Sequence, residues 1–506
     1  MIVTPVSVTT EVPLVLPLDP MSTRGRPTVP LSAAQTLAMN ELLKVAPAAG
    51  ELARRFADAG FKLALVGGSV RDALLGRLSA DLDFTTDARP EATKGILKKW
   101  AEAVWETGAA FGTITAKKGA QDPVTIEITT YRSDVYLDAS RKPTVAFGER
   151  LEGDLHRRDF TINAMALELT TEEPTFVDPY GGLTDLTLKL IRTPAKPELS
   201  FSDDPLRMMR AARFAAQLEF EVDAPALKAI ASMKERIAIV SAERIRDEFV
   251  KLLMSKSPRL GLSILVESGL AEFVVPELPK LKLEIDEHHR HKDVYEHSLI
   301  VLEQAIALEE RVGGPDLTLR LAALLHDIGK PKTRAFIPGG GVSFHHHEVV
   351  GAHQTKARLK ALRFDKQTID DVSTLVELHL RFHGYGAGEW TDSAVRRYVR
   401  DAGPLLERLH VLTRSDCTTR NQKKAQALSV SYDDLESRIA RLSQEEELAA
   451  MRPDLDGTAI MAILGIPPSR AVGQAYDHLL ELRLENGPLG VERATEELKK
   501  WWASRA

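Results

Sequence analysis

Asp81 and Asp83 stand two apart in the segment Asp81-Leu-Asp-Phe84. On a β-strand that spacing turns both carboxylates to one face while Leu82 and Phe84 point into a core. Two carboxylates brought together this way can hold two Mg²⁺ ions at the separation used for in-line displacement at phosphorus, one activating an attacking hydroxyl and one steadying a triphosphate. Upstream, Gly67-Gly68-Ser69-Val70-Arg71-Asp72 lets backbone N–H groups and a helix start approach phosphates, with Arg71 as a charge partner. Glu127 shares the polar face of its segment with Thr125 and Thr129. It is either a third acidic group of the same site or a solvated residue on the exposed side of an edge strand. Alone, an Asp-x-Asp pair or a Gly-Gly turn is ordinary; together they point to nucleotidyl transfer.

These residues need a small mixed sheet to hold them. Residues 31–60 carry helical apolar spacing, and a β-rich pattern follows at 61–66, running into the Gly-Gly turn as strand, turn and helix. Alternation returns at 81–84, 112–115 and 124–130, with helices such as 90–103 between. From Ser202 onward the pattern is amphipathic helix punctuated by Pro and Gly. Twelve of the fourteen histidines fall between His288 and His410 and mark a separate domain. The fold class is therefore α+β: a mixed-sheet head over 31–197, a helical neck over 198–284, an all-α histidine-rich domain over 285–420 and a helical tail over 421–506. Residues 1–30, rich in Pro, Thr and Val, read as a disordered leader, with Met21 a candidate translation start.

The strings LVGGSVRDALLG and DLDF resemble the nucleotidyltransferase head of the DNA polymerase beta superfamily, in the bacterial and eukaryotic class of tRNA nucleotidyltransferases and poly(A) polymerases. Arg157-Arg158-Asp159-Phe160-Thr161-Ile162-Asn163-Ala164 is similar to that family's second motif, associated with the ribose and triphosphate of the incoming nucleotide. The resemblance thus implies a nucleotide site of Gly67, Gly68, Ser69, Arg71, Arg157, Arg158, Asp159 and Asn163, with Asp81, Asp83 and Glu127 catalytic and Mg²⁺ as cofactor. The polar stretch 132–149 looks like the family's flexible loop near the primer end.

Asp203-Asp204-Pro205-Leu206-Arg207-Met208-Met209-Arg210 resembles the family motif that reads the incoming base, with Asp203 in place of its usual leading Glu. Three apart on a helix, Asp204 and Arg207 would share a face and meet one planar ligand. An acceptor beside a donor fork matches cytosine and adenine, whereas guanine and uracil put a carbonyl where the aspartate needs a donor. Such a two-point contact is worth roughly 1 to 3 kcal/mol against the wrong base. Ser241-Ala-Glu-Arg-Ile-Arg-Asp-Glu248 resembles the fifth motif, which makes Glu243 and Arg244 structural supports of the base-reading helix. Arg210 and Arg213 continue the helical spacing of Arg207. They face either the nucleotide and the tRNA acceptor stem or a salt-bridged surface.

The order His297, His326-Asp327, Asp416 fits the HD metal-dependent phosphohydrolases, and His326-Asp-Ile-Gly-Lys-Pro331 matches their central motif. His347, with His379 or His383, would complete a second metal position. Mixed imidazole and carboxylate ligands suit Mn, Fe, Co, Ni or Zn. Lys330 stands where it could either meet a substrate phosphate or compensate the charge of a helix C-terminus, and His288, His289 and His291 read as solvated. The string from Asp456 to Pro468 is similar to a helical tail element of the same enzymes, expected to touch RNA.

A net charge of −6 argues against indiscriminate polyanion binding, so any RNA contact relies on local basic patches. One cysteine, Cys417, excludes an internal disulfide framework and a cysteine zinc cluster. No apolar stretch approaches the roughly 20 residues that span a bilayer. The reading is of a cytoplasmic enzyme without a membrane partner, adding CCA to the 3′ end of tRNA from CTP and ATP. Rivals are a poly(A) polymerase or A-adding enzyme, an HD phosphohydrolase with an RNA-gripping head, and a noncatalytic RNA chaperone. The lack of a strongly basic C-terminal extension disfavours the poly(A) polymerase.

Overall fold

In the computed structural model, residues 31–45, 47–77, 82–108, 112–119, 124–135, 144–148, 150–170, 173–283, 293–338, 342–382, 385, 390–419, 421–446 and 452–505 are described. The leader, Asp81, His288, His289, His291 and His383 lie outside them. The described residues divide into two compact units, one up to Leu186 and the other from Thr187 onward.

The first unit is built on nine strands: β1 (Leu63–Val66), β2 (Leu82–Thr86), β3 (Ala103–Gly108), β4 (Thr113–Lys118), β5 (Val124–Thr130), β6 (Arg132–Val135), β7 (Thr144–Phe147), β8 (Ala166–Leu169) and β9 (Thr175–Val177). Seven form one mixed sheet in the order β3-β4-β5-β2-β1-β8-β9, and β6 pairs with β7 apart from it. The apolar run of β1 is buried at every position because it is flanked on both sides, by β2 and β8, and covered. Alternation holds in β2: Leu82 and Phe84 are buried and Asp83 is exposed. Strands β2 and β5 run parallel, which requires a crossover between them. The helix Pro90–Leu97 and the β3–β4 hairpin supply it.

Here the expected helix over 90–103 is corrected. It ends at Leu97, and Ala103–Gly108 pairs antiparallel with β4. The buried Trp100 fills the turn between them, its Nε1 donating to Glu51 at 2.9 Å. Helices Ala33–Val45 and Pro47–Asp58 fill the expected helical region before β1. Of the stretch 132–149, the paired strands β6 and β7 are described, and Tyr136–Pro143 lies outside the described residues.

The second unit begins before the expected boundary near Pro197, because Leu190–Ile191 pairs in parallel with Glu221–Val222. Apart from that pair and the short ladder Ala335–Phe336 with Val342–Ser343, its described elements are helices. Side-chain caps start several of them: Asp223 accepts from Ala226 N, Asp365 from Thr368 N and Asp456 from Ala459 N. In the tail, helix Gly457–Leu464 stops at Gly465, which takes φ +67. Leu455, Ile460, Ala475, Leu479, Ala494 and Leu498 form a core of their own there. Among the described residues no helix is long and apolar enough to cross a membrane.

Candidate active site and metal centre

Parallel pairing of β2 and β5 sets Asp83 directly opposite Glu127, both exposed on the same face of the sheet. Strand β5 lies between β4 and β2, so Glu127 is not on an edge strand, which corrects that reading of it. Asp81 lies outside the described residues. β1 delivers the Gly67 turn to the same place. A Cβ built on Gly67 would lie 2.9 Å from Arg158 Nη1 and 3.8 Å from Asp83 Oδ2, and Gly67 has φ +74, so only glycine fits there without strain. Turn, carboxylate and guanidinium therefore meet within one small volume.

The remaining members of the nucleotide set act behind this front. Ser69 is buried and its Oγ donates to Val66 O at 3.1 Å, which ties the turn to the carbonyl that ends β1. Arg71 is also mostly buried and turned inward: Nη1 donates to Asn163 Oδ1 at 2.6 Å, and Nε and Nη2 each reach Asp72 at 2.9 Å. Asn163 donates to Asp159 Oδ1 at 3.0 Å, which also accepts from Phe160 N at 2.8 Å. The chain Arg71–Asn163–Asp159 thereby ties the Gly-Gly turn to the Arg-Arg-Asp segment. Thr161 donates to the buried Asp185 at 2.6 Å and so docks the helix Gly182–Leu188.

Sequence reasoning missed Asp154, whose carboxylate is fully buried and bonded to both Arg157 and Arg158. Burial would raise its pKa, but the two guanidiniums outweigh burial and hold the carboxyl below its ordinary value. The signal was present, since Asp154 stands three and four residues before the two arginines.

In the second unit the helix-face geometry expected for Asp204 and Arg207 is corrected. Asp204 precedes Pro205, which disfavours helical backbone at the preceding residue, and it is extended at φ −140, ψ 101. Helix Leu206–Leu218 starts after it, with Arg207 in the first turn. Asp204 Oδ1 accepts from Leu206 N at 3.1 Å and Oδ2 from Arg244 Nη2 at 2.9 Å. Arg207 Nη1 donates to Ser200 Oγ at 2.8 Å. Arg244 thus acts as a support, directly on Asp204. Glu243 is more than half exposed and stands 4.0 Å from Arg363. The acid that supports the helix is instead the buried Glu248, which accepts from Arg213 at 2.6 Å and lies 3.4 Å from Arg210. Arg210 and Arg213 are therefore both paired with Glu248.

The expected ligands of the histidine-rich domain converge. His297, His326 and Asp416 form one group and Asp327, His347 and His379 a second, with the ligand atoms of each group within 4.8 Å of one another. Helix Leu317–Leu325 is buried over its last seven residues and delivers His326 and Asp327 at its end. His297 Nε2 is 2.9 Å from Asp416 Oδ1, His326 Nε2 is 3.2 Å from Asp327 Oδ2, and His347 Nε2 is 3.2 Å from Asp327 Oδ1. Three of the imidazoles hold Nδ1 against a carbonyl three residues earlier, on Ala323, Phe344 and Val376, at 2.9, 2.8 and 2.6 Å. That fixes the ring and aims Nε2 inward, as metal-ligating histidines require. His297 Nδ1 instead meets Thr418 Oγ1 at 3.2 Å.

These residues fit metal. His379 Nε2 is buried without a hydrogen-bond partner among the described residues, and burial together with the His326 charge pushes this imidazole down to about 3, keeping it neutral. Burial opposes charge on His326 too, yet the Asp327 and Asp416 carboxylates prevail and push it up to about 9. A field that strong is one that attracts a cation. His297 and Asp416 are partly exposed, while Asp327, His347 and His379 are buried, so the first group faces solvent and the second lies beneath. Lys330 Nζ sits 2.9 Å from Asp327 Oδ2.

Three family models match the chain. The Poly A polymerase head domain covers residues 63–192, the Probable RNA and SrmB-binding site of polymerase A covers 219–281, and the HD domain covers 294–421. Fold and site together define the class of polymerase-type nucleotidyltransferases that carry an HD domain. The A-adding tRNA nucleotidyltransferase of Deinococcus radiodurans is 34% identical over 446 residues, which are 87% of this chain and 95% of that protein. The CCA-adding enzyme of Enterococcus faecalis is 30% identical over 453 residues, 88% of this chain and 94% of that protein. In fold, the Bacillus stearothermophilus CCA-adding enzyme in complex with CTP superposes with a TM-score of 0.61 at 23% identity, covering 90% of this chain and 97% of that one. The chain belongs to the tRNA nucleotidyltransferase family and is an enzyme of that class, one that works with divalent metal.

Proposed function

We propose that this enzyme completes the 3′ end of tRNA by adding C, C and A in turn from CTP and ATP, without a nucleic-acid template. The observation that carries the proposal is the register of Asp83 against Glu127 beside the Gly67 turn and Arg158. In the sequence motif Asp81 accompanies Asp83, and these two would hold Mg²⁺, with Glu127 as the third acid. Bound there, the metal supplies charge neutralisation at the triphosphate and a more acidic primer hydroxyl. Arg157 and Arg158 orient the phosphates. Asp204 accepts from the amino group of cytosine or adenine and Arg207 donates beside it, while Arg244 holds Asp204 in place. The helical tail contacts the tRNA, and the enzyme works in the cytoplasm.

A second reading, addition of the terminal A alone, is favoured by the likeness to the A-adding enzyme from Deinococcus. Incorporation of each nucleotide into tRNAs ending before C74, C75 and A76 decides between them. Growth of the first substrate by three nucleotides is the expected result. Extension of the third alone establishes A addition, and unlimited A addition a poly(A) polymerase.

The HD ligand set supports a separate phosphohydrolase activity on a phosphomonoester or cyclic phosphodiester. His297, His326 and Asp416 would hold one transition metal among Mn, Fe, Co, Ni and Zn, and Asp327, His347 and His379 a second. Lys330 is the cation nearest that set for a substrate phosphate. His326→Ala should abolish hydrolysis and spare nucleotide addition.

A further inference from the structure

The head contains a buried charge that no part of the chemistry above uses. Asp154 lies on the helix Leu151–His156 with its carboxylate 0% exposed. Its Oδ1 accepts from Arg157 Nε at 3.0 Å and Nη2 at 2.7 Å, and its Oδ2 from Arg158 Nη2 at 3.3 Å. The two arginine side chains are 16% and 18% exposed, while the acid between them is not exposed at all. Arg158 Nε is buried without a hydrogen-bond partner among the described residues, and Nη1 reaches the Gly67 turn beside Asp83 Oδ2. One carboxylate is shared by two guanidiniums, and Arg158 carries its charge to the point where the Gly67 backbone and the Asp83 carboxylate converge.

We propose that Asp154 is a positioning residue for the nucleotide triphosphate, fixing Arg157 and Arg158 as a rigid cationic fork before substrate arrives. Free arginine side chains would have to lose rotamer freedom on binding. The carboxylate imposes that order in advance, and preorganised charge is what stabilises a phosphoryl group in a site with little water. A lone buried carboxylate is costly, and its ionised state here depends on the two arginines, so the three residues act as a unit. Because the triphosphate is common to CTP and ATP, Asp154 acts on both alike and has no part in choosing the base. The proposal rests on the reading of the head as the nucleotidyl-transfer site built around Asp83.

The test uses the full chain and a tRNA lacking its last nucleotides. Asp154→Asn keeps shape and removes the charge. KM should rise about tenfold or more for CTP and for ATP by the same factor, with kcat within about twofold and discrimination against UTP unchanged. Equilibrium binding of CTP without tRNA should weaken in parallel. In a chain already carrying Arg157→Ala and Arg158→Ala, adding Asp154→Asn should change KM no further, since contacting residues do not add. An unchanged KM, a shift for one nucleotide only, or a lower melting temperature with KM intact overturns the proposal. If the Asn variant does not fold, Arg158→Lys carries the test: it keeps the charge without the fork, and an unaltered KM overturns the proposal equally. Asp83→Asn separates the two layers. Continued incorporation by that variant sinks the reading of the head itself, whereas its loss alongside an unaffected Asp154→Asn sinks the positioning role alone.

Discussion

Gly329, in the turn that follows His326 and Asp327, offers a quantitative test of the metal centre. A Cβ there would lie 2.1 Å from His347 O and 2.7 Å from Gly351 N. The glycine has φ −74, so alanine costs nothing in backbone conformation and the whole penalty is lack of space. Carbon and carbonyl oxygen in contact rest at about 3.3 Å or more, so the turn and the helix His347–Ala361 must part by about 1 Å. Overpacking of this kind costs about 1 to 3 kcal/mol, and here backbone meets backbone, which places it at the upper end. His347 and Asp327, whose ligand atoms are 3.2 Å apart, sit on the two sides of that contact. Metal–ligand distances tolerate about 0.2 Å. Gly329→Ala should therefore weaken metal binding by about 10- to 100-fold, the range seen when the groups that orient ligands are lost. Nucleotide addition should be spared, because Asp83 and Glu127 belong to the other unit. Metal content after gel filtration, calorimetric melting and nucleotide incorporation measure the three effects. Wild-type metal affinity in a folded Gly329→Ala chain would refute the close packing on which the argument depends.

Two further outcomes follow from contacts in the head and neck. Arg244→Ala removes an ion pair more than half exposed on the arginine side, so melting should move by under about 1 kcal/mol. Discrimination of CTP over UTP should nevertheless fall several-fold, because Asp204 loses the partner that orients it; equal selectivity measured by competition would exclude the role. Gly67→Ala should reduce kcat/KM for both nucleotides by more than about tenfold, since the methyl displaces Arg158 and φ +74 strains alanine. A variant with wild-type kinetics would show that the turn is not part of the site.

Much of this arrangement was legible before any coordinates. The alternation of Leu82, Asp83 and Phe84 is a local property of β2, and strict order in the chain marked His297, His326, Asp327 and Asp416. What escaped was set by partners distant in sequence. The pairing of Asp83 with Glu127 depends on the order of strands in the sheet, which no local period encodes. The helix expected over 90–103 overruns Leu97 because the strand that follows, Ala103–Gly108, takes its identity from pairing with β4. Asp204 was placed on a helix face although Pro205, visible in the sequence, argues against it. The internal partners of Ser69 and Arg71, Val66 and Asn163, are likewise invisible to the motif that names the two residues. Asp154 and Glu248 were overlooked because buried acids are rare, and their burial is apparent only after the arginines close over them.

The parallel ladder of β2 and β5 also sorts changes of chain length by their consequence. Residues between Thr86 and Val124 form a crossover whose span is free to grow or shrink at its turns, since the ladder alone sets the meeting of Asp83 and Glu127. One residue lost inside Leu82–Thr86 is different: it rolls the remainder of the strand half a turn, sending an acid into the core and an apolar side chain to the metal. Natural length variation among related heads should accumulate in the first region and be absent from the second.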